Sequence, residues 1–345
     1  MPVAEDEEGI EWKFNEFTKI GRQIHLLKGH ARTTQARTGL KLSGVLCKSK
    51  YVLDTKVRFE LYMNHLRNIA DVVDQAAELE SATITYFYGR HCKAGLDESL
   101  FNVTFSPKTI GRHIGCICNV NDGTQTTRYF AKVHQNGPSD GDFLSTDPPD
   151  LKEIFIYKLL HQIGMGPEPH FIVPFNGSPK TLYIATKECH FVMLSDLTIE
   201  TANTKALLQI NLISRILRLF DFKGNNPTNY GQVGDKPMIV DCRIKRESCG
   251  YLNLRIFDDF CGGNGDRMYN SLLAAAFKTP EEEKEKIVKE SLEEWKLTEK
   301  IDKLVSEVNE FAPKFSDLTW FPNDLERYAQ HVKANIEALF ENISV

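Results

Sequence analysis

The stretch LFDFKGNNPTNYG, residues 219–231, places one aspartate, three asparagines and two glycines between an apolar run, ALLQINLISRILRLF, and a short strand-like segment, KPMIVDC. Asp221, Asn226, Asn229 and the later Asp241 offer hard oxygen atoms of the kind that bind magnesium. The same residue types build ordinary turns. On pattern alone both readings stand, a turn or a metal and phosphate site. Asp221 is the only acidic residue between Glu200 and Asp235. Asn226 precedes Pro227, which favours an extended backbone at that position.

The elements that must hold this loop are legible on both sides. Residues 10–80 read as mostly helical, most clearly in KVRFELYMNHLRNIADVVDQAAELE, where Phe59, Met63, Leu66, Ile69, Val72 and Val73 recur near a 3.6-residue period. SATITYFYG and LFNVTFSP are rich in β-branched and aromatic residues and read as strands. HIGCICNVNDGTQTTRYFAKVHQ reads as a hairpin turning at Asn121-Asp122-Gly123. The span 81–135 is therefore expected to be β-rich. A loop rich in Gly, Pro and Ser ends at Asp150, where LKEIFIYKLLHQIG begins a helix that closes at Gly164. TLYIATKEC and HFVMLSDLT read as strands, 204–220 as a long helix, PMIVDC as a strand, and most of the remainder as helices. YLNLRIFDDF is open to either a strand or a loop segment.

Composition bounds the class. The chain has 345 residues, 41% hydrophobic and 26% charged, which suits a globular protein of two domains or lobes. No apolar run approaches the roughly 18 residues of a membrane helix, and MPVAEDEEGIEW is acidic where a secretory leader is basic, so an intracellular protein is expected. The eight cysteines form no CxxC pair and read as reduced structural thiols. The net charge of -5 conceals ten Lys and Arg between Lys13 and Lys56, a segment suited to an anionic partner or to a solvated helix face.

Four features follow one another in an order that resembles the protein-kinase-like superfamily over about 105–275. RYFAKV sets Lys132 in a strand after a hairpin, KEIFIYKLL sets Glu153 early in the next helix, LFDFKGNNPTNYG resembles a catalytic loop, and MIVDCR resembles the strand ending in a metal-binding aspartate. The resemblance implies an α+β, bilobal protein-kinase-like fold: a helical extension over 1–80, a β-rich small lobe with one key helix over 81–197, and a larger helical lobe over 198–345. It also implies ATP and Mg2+ as cofactors. Lys132 and Glu153 would then position phosphates, with Gly111 and Gly115 in the phosphate loop. Asn229, in preference to Asn226, would bind metal with Asp241, and Asp221 would orient an acceptor hydroxyl.

Each residue also has a plainer reading. Lys132 fits an exposed position on a hairpin, and the Asp150-x-x-Glu153 spacing fits a helix capping box. The chain departs from the family in carrying Leu219-Phe220 before Asp221 and Cys242-Arg243 after Asp241, and in lacking GxGxxG and Walker A spacings. The expected function is phosphoryl transfer from ATP to a protein or small-molecule hydroxyl. The alternatives are a pseudokinase scaffold, with a protein partner on the N-terminal helical arm, and an adaptor binding nucleic acid or another acidic partner through 13–56. No nucleic-acid motif supports the last.

Overall fold

A run of four-residue steps organises the first element, because Leu79, Thr83, Phe87 and His91 are all buried along a helix over residues 78–93, α1. The computed structural model describes residues 78–107, 113, 115–137, 148–174, 181–219, 228–244, 252–262, 271–315 and 322–343. Of the span 10–80 expected to be mostly helical, residues 10–77, with the basic segment 13–56, lie outside them, as do Gly111, Asp221 and Asn226. SATITYFYG is thus helical, against the β-rich expectation. Its buried stripe contains a threonine and a histidine, which hide the apolar period, and packing overrides the β-branched propensity.

The chain is α+β and divides into two compact units. The first comprises described residues up to Pro149 together with His170–Ala185. Its five-stranded sheet has the order β1-β2-β3-β5-β4, from Asn102–Pro107, Gly115–Asn121, Thr126–Val133, Pro169–Ile172 (β4) and Tyr183–Lys187 (β5). Strands β1, β2 and β3 form an antiparallel meander.

The β2–β3 turn forms where the sequence places it. Asp122 Oδ1 accepts from the backbone N–H groups of Thr124 and Gln125 and from the Thr124 hydroxyl, and Gly123 takes φ +87°. These hydrogen bonds hold the Asp122 carboxyl down at about 2. Leu79 and Phe87 of α1 pack with Cys116, Cys118, Val120, Tyr129, Ala131 and Val133 of the sheet. Full burial of such side chains contributes about 1.5–3 kcal/mol each. Cys116 and Cys118 share the core face, and burial pushes the Cys118 thiol up to about 12.

The second unit comprises Asp150–Pro169 and the described residues after Ala185. Helix α2, Leu151–Gln162, begins at Asp150, whose carboxylate accepts from the Lys152 N–H, and ends as Gly164 takes φ +73°. A three-stranded sheet runs β6-β7-β8, from Val192–Met193, Tyr230–Val233 and Lys236–Ile239. HFVMLSDLT contributes only its Val192–Met193 pair as strand before turning.

Helix α3, Thr204–Ile216, is capped by Asn203 and buried from Ala206 onward on every face, so it forms the centre of this unit. The helices α4, Ile256–Gly262, α5, Ser271–Ala276, α6, Glu281–Trp295, α7, Leu297–Asn309, and α8, Pro322–Ile343, complete it. Residues 256–260 of YLNLRIFDDF are therefore helical. The α3 carboxyl end exposes carbonyls that need donors. The Tyr328 hydroxyl and Asn335 Nδ2 of α8 donate to the Leu217 and Ile216 carbonyls at 2.7 and 3.1 Å. That fixes the chain at the end of α3.

Candidate functional site

Strands β7 and β8 pair Tyr230 with Ile239 and Val233 with Lys236 around Gly234, whose φ of +57° suits a tight two-residue turn. The Val240 N–H donates to the Asn229 carbonyl at 2.8 Å, carrying the pairing one step past the named strands. Asn229 therefore stands one residue before β7 and Asp241 two residues after β8, at the same end of the hairpin. A further backbone bond, from Ile239 N–H to the Met165 carbonyl at 2.8 Å, ties β8 to the segment after α2.

The Asp241 carboxylate is held from α2. Tyr157, 3% exposed, donates its hydroxyl to Asp241 Oδ1 at 3.0 Å. Tyr157 lies one helical turn after Glu153, so the two share a face of α2. Two ion pairs fasten the same helix elsewhere: Lys152 with Asp324 of α8, and Lys158 with Glu307 of α7 at 2.6 Å. Asp241 also lines a shallow cleft with Ser214, Leu219, Tyr230, Ile239, Cys242 and Arg243. The Ser214 hydroxyl is buried and has no hydrogen-bond partner among the described residues.

Glu153 is 1% exposed. The helix start does use Asp150, and the Glu153 N–H donates to the Asp150 carbonyl at 2.9 Å. A capping role alone gives no reason to bury a carboxylate, because desolvating a charged group is costly. Its burial therefore sets it apart from a surface capping glutamate.

Lys132 and Gly115 belong to the first unit and stand directly opposite one another in the β2–β3 register. The neighbour across from Lys132 thus carries no side chain. Along β3, Tyr129, Ala131 and Val133 face the core, while Arg128 and Phe130 on the other face are exposed. Lys132 shares that outer face yet is half-buried, unlike a lysine on an open hairpin.

Asn229 and Asp241 thus flank the same end of the β7–β8 hairpin, with Glu153 placed on the helix that holds Asp241. Sequence reasoning missed Tyr157 as a partner, although a tyrosine one turn from Glu153 in an aliphatic helix was visible. Nothing in the sequence links it to a residue 84 positions later.

An asparagine and an aspartate suit magnesium. That ion commonly takes one or two protein oxygens and completes its octahedron with phosphates and water. Among the described residues no group of three or more His, Cys, Asp or Glu forms a self-sufficient metal cage. The donor set therefore fits a metal shared with a phosphate ligand better than a structural zinc or calcium site.

No family model, curated protein or solved structure matches the chain. Among the described residues no helix is long and apolar enough to cross a membrane.

Proposed function

We propose that this chain is a divergent kinase-like protein that binds ATP with magnesium and transfers phosphoryl groups to a protein or small-molecule hydroxyl inside the cell. The observation that carries the reading is that Asn229 and Asp241 flank one end of the β7–β8 hairpin, with Asp241 held by a buried tyrosine. Magnesium held there would neutralise phosphate charge and orient the transferred group.

In this reading Asn229 and Asp241 supply the metal ligands. The phosphate-binding role of Lys132, opposite Gly115 in the β2–β3 register, rests on the sequence resemblance. Glu153 is a buried carboxylate whose role here rests on the sequence resemblance. Gly111, Asn226 and the acceptor-orienting Asp221 rest on the sequence resemblance alone.

The test is a thermal-shift titration with ATP, with and without magnesium, on the native chain and on Lys132→Ala and Asp241→Asn. Ligand at a hundred times its dissociation constant stabilises the folded state by about 2.7 kcal/mol. The expected result is a magnesium-dependent rise in melting temperature that both substitutions abolish. No rise in the native chain at millimolar ATP and magnesium refutes the proposal.

A second reading is a pseudokinase scaffold, favoured by Leu219-Phe220 and Cys242-Arg243 in place of the family residues. It separates from the first by turnover: nucleotide binding without phosphoryl transfer to any acceptor, or to water, supports it.

A further inference from the structure

We infer that Tyr157 is a positioning residue for the metal site: its phenol fixes the orientation of the Asp241 carboxylate for the cation. The inference rests on the metal-site reading above and adds to it a residue outside the resemblance. Tyr157 is 3% exposed, and its hydroxyl reaches Asp241 Oδ1 at 3.0 Å, a normal length for an O–H donor on a carboxylate. A buried tyrosine hydroxyl needs an acceptor, and an ionised carboxylate is a strong one. A carboxylate has about four lone-pair sites, so one phenol does not exhaust its capacity to bind a metal.

The surroundings make the orientation rigid. Asp241 follows β8 on a stretch already pinned by the Val240 bond to Asn229 and the Ile239 bond to Met165. The backbone leading into Asp241 is thereby held, and Tyr157 engages the carboxylate itself. Tyr157 cannot readily follow a turning carboxylate, because its ring is enclosed and α2 is anchored through Lys152 to Asp324 and Lys158 to Glu307. Groups that hydrogen-bond a metal ligand orient it, and their removal typically lowers metal affinity about 10- to 100-fold. Phenylalanine at position 157 preserves the ring and removes only the donor.

The test titrates manganese(II) by electron paramagnetic resonance into the full chain with a non-hydrolysable ATP analogue. The proteins compared are the native chain, Tyr157→Phe, Asp241→Asn and Lys158→Met. The native chain is expected to bind manganese and Asp241→Asn to lose it. Tyr157→Phe should bind about 10-fold or more weakly, with nucleotide affinity in EDTA unchanged. Lys158→Met, which breaks another tie of α2 without touching Asp241, should stay within about twofold of the native chain.

Native-like manganese affinity in Tyr157→Phe overturns the positioning role while leaving the metal site standing. An equal loss in Lys158→Met also overturns it, by showing that any loosening of α2 has the same effect. Failure of the native chain to bind manganese removes the metal site and this inference together. Should Tyr157→Phe not fold, Tyr157→Leu is a second variant without the hydroxyl, read by the same outcomes.

Discussion

Lys152 offers the sharpest quantitative consequence of the second unit. It is 2% exposed, in the first turn of α2, where the helix dipole disfavours a cation. Two carboxylates compensate: Asp324 of α8 pairs with it directly, and Asp150 Oδ2 lies 3.5 Å away. Burial raises Asp150, with Lys152 opposing that shift. Removing one member of a buried ion pair usually costs about 3–5 kcal/mol, whereas replacing the pair by apolar groups is often neutral.

The Asp150 and Asp324 side chains retain 11% and 16% exposure, so the lower end, about 3 kcal/mol, is expected for Lys152→Met. Asp324→Leu should cost about 2–3 kcal/mol, because Asp150 still faces the ammonium. The α2 cap survives both changes, since it uses the Lys152 backbone N–H.

The assay is native-state hydrogen exchange on segments 151–162 and 322–343. A local loss of 3 kcal/mol accelerates exchange roughly 150-fold at 1.36 kcal/mol per tenfold. Lys152→Met/Asp324→Leu should be less destabilised than the sum of the singles by about 2 kcal/mol. Single effects below about 1 kcal/mol, or strict additivity in the double variant, refute the reasoning.

Two further outcomes follow from local geometry. A Cβ at Gly231 would run into the Val192 carbonyl oxygen, a backbone atom that cannot swing away. Gly231→Ala should therefore break the β6–β7 pairing and lower the melting temperature by several degrees, and an unchanged melt contradicts it. For Asp122 the folded value is depressed to about 2 from the ordinary 3.8, first by the Thr124 hydroxyl and then by the Gln125 and Thr124 N–H groups. Its contribution to the hairpin is thus full above about pH 4 and lost as pH falls through about 2. An NMR titration of the Thr124 amide should show a midpoint near 2, and a midpoint at or above 3.8 contradicts the account.

The readable parts of the fold were those with local causes. Asn121-Asp122-Gly123 marks its own turn, and Asp150 with Gly164 marks both ends of α2. Helix α1 escaped because Thr83 and His91 occupy half of its buried stripe, so its period is visible in burial but not in hydrophobicity. At the site, Asn229 and Asp241 were legible as oxygen donors flanking a short hairpin. The Tyr157–Asp241 bond was not, because it joins elements whose packing is decided by the whole unit. Lys132 was ambiguous for a related reason, since alternation assigns it to the outer face but not its partial burial there.

The most direct measurement is a crystal of the full chain grown with manganese(II) and a non-hydrolysable ATP analogue, with data collected at a wavelength that reveals manganese by anomalous scattering. The account predicts a peak within about 2.0–2.3 Å of a side-chain oxygen of Asn229 and of Asp241, with nucleotide phosphate completing the coordination. Manganese or nucleotide bound away from these two residues, or absent at saturating concentration, contradicts it.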